Sequence, residues 1–413
     1  PRQELSTGEF VRNPINFAVK AGETAPNGVD LTRYSRFDNP EGSVYYCDGS
    51  TEKHLQERRA TLKDIAQAVG VSPRAVSAAL NNTGRVSEAT RERIVRVAEE
   101  MNYRPNMLAR GLVQQKTYLL GALFPYASVS FFNQIISGIE AECSRYGYDL
   151  LLGNASLLDE REEPEALMRL VNRNIDGILC SPDPRAHALF SRFVGTRLPV
   201  IQVMTKVPGL ELPFVGVDNE LGGYLATRHL LELGHRNIGF LTSDRSWYAE
   251  ITDRQAGYTR ALLEAGVRID LKRFRIACDL TVAGGERATE ELLARAPETT
   301  AIFAPTDHAA LGAIHSCRRL GRRVPQECSI VGYDDLEIAR LQIDYPLTTV
   351  AQPKERIGII AFELLQDALE GGAVESQLLA PELVIRSTTA GPGGAGSPSA
   401  QDARPSGAEG NEP

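Results

Sequence analysis

The sequence predicts an α/β protein in which a small helical head precedes a larger body of repeated strand-helix units. Three observations carry this. From Thr61 to about Leu112 apolar residues recur at helical spacing, and from Tyr118 onward short apolar runs alternate with amphipathic stretches. Residues 58–116 hold eleven Lys/Arg against five Asp/Glu, a local +6 in a chain whose net charge is −8. Repeated βα units imply parallel sheets covered by helices. A basic module on an acidic body is the electrostatic footprint of a nucleic-acid-binding head joined to a separate folding unit.

At 413 residues the chain is too long for one ordinary core, and about two or three folding units are expected. The apolar share of 42% and charged share of 24% are those of a globular protein, and no run approaches the roughly 18 apolar residues of a membrane span. Pro1–Phe10 holds no basic segment followed by an apolar run, so no secretory signal is read there and a cytoplasmic location is expected. The six cysteines, Cys47, Cys143, Cys180, Cys278, Cys317 and Cys328, lack C-x-x-C spacing. They are expected to be buried reduced thiols, not disulfides or metal ligands.

Residues 1–59 contain the breakers Asn13-Pro14, Pro26-Asn27-Gly28 and Asn39-Pro40-Glu41-Gly42 and no sustained period, which predicts a disordered extension. The head follows at 60–105. Thr61 is placed to cap a first helix and Asp64 lies near its positive dipole end, with Ile65 and Val69 an apolar i, i+4 pair. Gly70 permits a sharp turn, and Ser72-Pro73 supplies an N-cap with proline at the first helical position. In the second helix Val76, Ala79 and Leu80 share one face, while Pro73, Arg74, Ser77, Ala78 and Asn81 share the other, free to enter a groove. Ser87 caps a third helix running to about Met101, whose Arg91, Arg93 and Arg96 suit either phosphate contact or a solvated face. Asn106 can cap a short last helix, Met107–Leu112, within a linker at 106–116.

The body spans 117–390. Its predicted strands are Tyr118–Phe124, Tyr148–Leu152, Ile175–Cys180, Pro199–Val203, Asn237–Thr242, Thr300–Ala304 and Ser329–Tyr333. Helical stretches between them include Phe132–Tyr146, Leu221–Leu233, Gln255–Glu264, Glu286–Ala296 and Ala309–Leu320. The Gly-, Pro- and Ser-rich segment 391–413 is predicted to be a disordered tail.

In the head, Thr61-Leu-Lys-Asp-Ile-Ala, Gly70-Val-Ser, Val76-Ser77, Leu80-Asn81-Asn, Val86-Ser-Glu-Ala-Thr-Arg-Glu-Arg and Tyr103-Arg-Pro-Asn…Ala109-Arg110 resemble the lactose repressor/galactose repressor (LacI/GalR) family. The resemblance implies that Pro73–Leu80 is a recognition helix in the major groove of double-stranded DNA. Arg74 would read guanine bidentately. Ser72, Ser77 and Asn81 would make base or phosphate contacts, and Thr61, Ser87, Thr90, Tyr103 and Asn106 would hold phosphates. Met107–Leu112, with Ala109 and Arg110, would be a hinge helix that enters the minor groove of a near-palindromic operator when a homodimer binds, wedging Leu112 into a base step. Many members carry Arg after the Val-Ser pair, where this chain has Ala78.

The likeness continues through Val217-Asp-Asn, His229–Gly239, Arg254-Gln-Ala-Gly-Tyr258, Asp307–Gly312, Val331-Gly-Tyr-Asp-Asp335 and Pro346–Val350, so that it covers about four-fifths of the chain. It implies a periplasmic-binding-protein-like sensor of two Rossmann-like lobes, with a small-molecule effector, a carbohydrate or derivative, between them. Ligands of such sheets sit beyond the carboxyl ends of the strands. That selects Phe131, Phe132, Ser181, Arg254, Thr306, Asp334 and Gln352. Phe131 and Phe132 are either platforms for a ring face or ordinary core, and Asp334-Asp335 either bind ligand or cap a loop. Arg254 is expected at a helix start, where a cation opposes the dipole unless an anion or ligand is near. Thr306 stands where the family often has Asn.

Two other function classes fit less. A solute receptor explains the body but leaves the basic head without a role. An enzyme is disfavoured because no Walker loop, G-x-S-x-G or H-E-x-x-H occurs and the six histidines are dispersed. No catalytic residue, metal or cofactor is assigned.

Overall fold

The computed structural model describes residues 60–103, 116–125, 130–155, 161–243, 249–268, 270–341 and 346–393, together with the backbone of 19–20, 34–38 and 43–48. Contacts separate two units, Pro1–Asn106 and Met107–Pro413.

Within the first unit, the segment read as a disordered extension contains strands, and the expectation is corrected there. β1 (Val19–Lys20), β2 (Tyr34–Asp38) and β3 (Ser43–Asp48) form an antiparallel sheet in the order β1-β3-β2, with Tyr34 opposite Asp48 and Asp38 opposite Val44. Tyr34, Phe37, Val44, Tyr45 and Tyr46 are strong strand formers. The breakers Asn39-Pro40-Glu41-Gly42 punctuate two strands in the sequence, and were misread as the mark of a segment without structure.

The head comprises α1 (Leu62–Val69), α2 (Pro73–Leu80) and α3 (Glu88–Glu100). Gly70 closes α1 at φ 76°, a conformation that costs glycine nothing. Ile65, Ala66, Val69, Val76, Ala79, Ile94 and Ala98 form its core, with Leu80, Val86 and Tyr103 packed at the edge.

The second unit has two lobes. The first begins with β4 (Leu119–Pro125), α4 (Ser130–Tyr146), β5 (Asp149–Ala155), α5 (Glu162–Val171), β6 (Gly177–Cys180), α6 (His187–Phe190), β7 (Val200–Val203) and β8 (Phe214–Val217). The chain then crosses to α7 (Asn219–Glu232), β9 (Ile238–Ser243), α8 (Ala249–Glu264), α9 (Leu271–Phe274) and β10 (Arg275–Cys278). It continues through α10 (Val282–Arg295), β11 (Ala301–Phe303), α11 (Asp307–Arg319), β12 (Ser329–Asp334), α12 (Glu337–Leu341) and β13 (Thr348–Ala351). It returns with α13 (Lys354–Leu369) and β14 (Gln377–Leu379), and crosses last into β15 (Glu382–Val384).

The first sheet, β14-β8-β7-β6-β4-β5, is parallel throughout, and the second, β10-β9-β11-β12-β13-β15, is parallel except for β15. Helices cover both faces, so strand residues are buried on either side: Leu120, Ala122 and Phe124 enter one core cluster and Leu123 the opposite one. This is why these strands read as unbroken apolar runs. α13 packs on α4 in the first lobe, closely enough that a Cβ on Gly138 would lie 2.2 Å from the Glu355 carbonyl, and one on Gly358 2.0 Å from that of Ile135. Five cysteines are described, each a buried thiol outside any disulfide.

Candidate functional site

The head presents one polar surface, and its capping residues shape it. Thr61 and Asp64 form a capping box, with the Thr61 amide donating to Asp64 Oδ2 at 2.8 Å. Ser72 accepts from the Ala75 amide at 3.2 Å, which orients the start of α2. Ser72, Pro73, Arg74 and Asn81 are exposed, and Ser77 and Ala78 half-buried, while Val76 and Ala79 are buried beneath them. The predicted division of faces therefore holds. Asn81 donates to the Ser77 carbonyl at 2.8 Å, and the Ser87 and Thr90 hydroxyls are 2.8 Å apart at the start of α3. Two of the arginines offered for phosphate do other work. Arg91 donates to the Ala79 carbonyl at 2.9 Å, which also accepts from the Asn82 amide at 3.3 Å, and Arg93 to the Val69 carbonyl at 2.8 Å, so both guanidinium groups bind carbonyls at helix ends. Asn106, Ala109, Arg110 and Leu112 lie outside the described residues.

In the two-lobed unit Ser181, Asp334 and Gln352 lie at or just beyond strand ends, Thr306 caps a helix, and Arg254, Phe131 and Phe132 lie within helices. Arg254, Asp334 and Gln352 meet directly: Gln352 Nε2 donates to Asp334 Oδ1 at 2.7 Å, and Arg254 NH2 lies 3.9 Å from the same oxygen. Arg254 Nε donates to Asn219 Oδ1 at 2.9 Å and its NH1 to the Pro305 carbonyl. Its guanidinium also lies over the Tyr333 ring at 3.6 Å. α8 begins at Ala249, so the expectation that Arg254 starts a helix is corrected. It occupies the second turn, and its charge is answered by the carboxylate, a carbonyl and the ring. The dipole had no part in placing it.

Asp334 has φ 115° and Asp335 φ 48°. Such backbone costs a non-glycine residue roughly 1–3 kcal/mol and persists where surroundings over-determine it. Burial raises the Asp334 carboxyl above its usual range, opposed by Arg254 and Lys354. Burial alone would also raise Asp335, but hydrogen bonds from Arg340 and Arg386 hold it below its usual value. Asp335 thus braces the loop while Asp334 faces the cation network.

The remaining residues flank this centre. Thr306 caps α11, accepting from the Ala309 amide at 3.2 Å and donating to the Leu280 carbonyl at 3.3 Å, so its one donor is already engaged. Phe132 lies 5.2 Å from Phe124 and 5.1 Å from Phe131, the latter edge-on at 88°. Both α4 phenylalanines are half-buried against the first lobe's core. Ser181 is buried after β6 and donates to Thr205 after β7 at 3.2 Å.

Four participants were not anticipated. Lys354, 3% exposed, donates to the Asp334 carbonyl and sits 5.7 Å from the Phe131 ring centroid, joining the two lobes. Burial lowers its ammonium below the usual lysine range, opposed by Asp334 and Asp307. Asn219, Thr205 and Glu250 complete the set. The signal available was position: Asn219 and Lys354 lie where one sheet's run of elements ends and the other's begins.

Residues 61–106 match the bacterial regulatory proteins of the lacI family, and 227–389 match a periplasmic binding protein-like domain. The HTH-type transcriptional repressor PurR of Vibrio atlanticus (strain LGP32) is 35% identical over 338 residues, which span 80% of this chain and 98% of that protein. The chain belongs to the LacI family. Among solved structures, the Lac repressor dimer bound to operator and the anti-inducer ONPF has a TM-score of 0.71 at 26% identity, covering 81% of this chain and all of that one. The transcriptional regulator CelR–cellobiose complex has a TM-score of 0.59 at 31% identity, covering 80% of this chain and all of that one. LacI-family membership makes the chain a DNA-binding transcriptional repressor with an effector-binding domain, and not an enzyme. No described helix is long and apolar enough to cross a membrane.

Proposed function

We propose that the chain is a homodimeric repressor whose hold on a near-palindromic operator is set by a small molecule bound between the lobes, and that this effector is a carbohydrate or a close derivative. One observation carries the reading: Arg254, Asp334 and Gln352, each at least nine-tenths buried, hold spare hydrogen-bonding capacity where both lobes and a chain crossover meet. Buried donors and acceptors beside aromatic rings suit a polyhydroxylated ring. The cellobiose complex of CelR, a structural neighbour, supports the class.

On the head, Arg74 reads guanine, Ser72, Ser77 and Asn81 contact bases or phosphates, and Thr61, Ser87, Thr90, Tyr103 and Asn106 hold the backbone. Met107–Leu112 acts as the hinge helix, with Leu112 as wedge. An effector that binds one arrangement of the lobes better than the other shifts operator affinity by that difference.

Selection of bound sequences from a random duplex pool, followed by mobility shifts with and without sugars, tests the reading. A two-fold-related site and a sugar-dependent change in its affinity are expected. Binding with no sequence preference at physiological salt would overturn it.

A further inference from the structure

The chain enters the two-lobed unit through a fixed point. Asp176, just before β6, turns its carboxylate on residues 117 and 118. Oδ1 accepts from the Thr117 amide and hydroxyl, each at 2.8 Å, and Oδ2 accepts from the Tyr118 amide at 2.8 Å. The Thr117 hydroxyl also lies 2.8 Å from the Asn174 carbonyl. Asp176 is itself held, since its amide donates to the Leu119 carbonyl at 2.7 Å and Gly177 beside it pairs with Leu120 of β4. On the other side of β4, the Tyr118 carbonyl accepts from the Asp149 amide at 2.8 Å.

Tyr118 has φ 57°, a left-handed backbone that a bulky side chain rarely adopts and that persists where surroundings over-determine it. Its ring lies 5.5 Å from that of buried Tyr148, and Lys116 Nζ stands 5.1 Å from both centroids. Tyr148 in turn meets Phe362 of α13 edge-on at 6.0 Å. Residues 116–118 are thus fastened by a carboxylate, two neighbouring strands and an aromatic pair. The carboxylate and both tyrosines sit at the amino-terminal ends of β4, β5 and β6, whereas the cleft lies beyond the carboxyl ends. Effector contact therefore does not account for them.

We propose that Asp176 is a positioning residue for operator binding: by fastening residues 116–118 it keeps the chain leading to each head short, and so sets the half-site spacing the dimer accepts. This rests on the homodimeric operator reading above. With 107–112 as hinge helix, residues 113–115 are all that separates that helix from the fastening. Releasing 116–118 doubles this length and adds about 10 Å of reach per subunit, the rise of about three base pairs. Short tethers discriminate between separations, and longer ones do so less.

The test is a set of mobility shifts of the full chain on its selected two-fold duplex, and on the same duplex with two base pairs inserted at or removed from the centre. Wild type is expected to bind the selected spacing about thirtyfold tighter than either altered one. D176N, which keeps the volume but turns an amide NH2 toward the Thr117 or Tyr118 donors, is expected to shrink that ratio about fivefold. T117A serves if D176N does not fold by circular dichroism. A variant that merely loses folded protein weakens every duplex alike, so the ratio separates positioning from stability. A ratio unaltered in the variant overturns the inference, as does a wild type indifferent to spacing, and either result leaves the repressor reading standing. If selection yields no two-fold site, that reading falls and this inference with it.

Discussion

The guanidinium of Arg254 lies over the ring of Tyr333, 3.6 Å from its centroid. Both side chains are buried, Tyr333 fully and Arg254 to 5% exposure, and a desolvated cation over an aromatic face contributes about 2 kcal/mol. The pair fixes where the cleft's main donor stands, because Tyr333 belongs to β12 and cannot shift without the sheet. α7 accommodates the ring through Gly222, whose Cβ would lie 2.2 Å from the Tyr333 hydroxyl.

Arg254→Ala is therefore expected to lower stability by about 3 kcal/mol, since it strips the guanidinium from buried Asp334 and the donors from Asn219 and Pro305. Urea unfolding followed by circular dichroism measures it. An unmoved midpoint would show that the network carries no stability.

Glu163 gives the lobes a pH dependence. Burial pushes its carboxyl up to about 7, although the Asp183 amide donates to it at 2.9 Å. The folded state thus keeps a proton that the unfolded chain releases near its ordinary value of 4.5. Its contribution is greatest below that value and declines as pH rises through the folded value, by about 3 kcal/mol in all. Thermal midpoints of the wild type should fall more steeply than those of Glu163→Gln between pH 5 and 8. Parallel curves would contradict the assignment.

The capping box predicts a local effect. Thr61→Ala should destabilise α1 by about 1 kcal/mol and speed amide exchange there about fivefold, leaving the two-lobed unit untouched. Native-state hydrogen exchange read by mass spectrometry distinguishes the two units.

Arginines on the head should separate by salt dependence. Arg74→Gln is expected to weaken operator binding most at a single base position. Arg93→Gln, which only loses the Val69 carbonyl, should leave the slope of log affinity against log salt unchanged. A residue that neutralises a phosphate changes that slope by about 0.9. Titrations at four salt concentrations decide it, and a shallower slope for Arg93→Gln would restore that residue to the phosphate interface.

The head was the most legible part of the sequence. Its caps are local, and α2 was predicted at Pro73–Leu80 and occurs at those residues. The seven predicted strands of the body also occur, with ends that differ by up to three residues. The additional strands Phe214–Val217, Arg275–Cys278, Thr348–Ala351, Gln377–Leu379 and Glu382–Val384 have three or four residues each, too few for a local period to betray them. Asp334 and Gln352 were legible as residues at strand ends, and Arg254 from the stretch Arg254-Gln-Ala-Gly-Tyr258, although it was read at a helix start and lies in the second turn. Lys354 was not, because a lysine after proline reads as solvated surface, and only the packing of α13 under the cleft buries it.

The chain passes between the lobes three times, at Val217–Asn219, Ala351–Lys354 and Leu379–Glu382. A single thread would leave one lobe free to swivel about any axis on the other. Three side-by-side threads remove most of those rotations and leave essentially one opening angle as the coordinate along which the lobes move. A molecule of any shape held in the cleft can then send only a one-dimensional message, more open or more closed. Repressors with different effectors can share this body because chemical identity is read at the cleft and discarded at the threads.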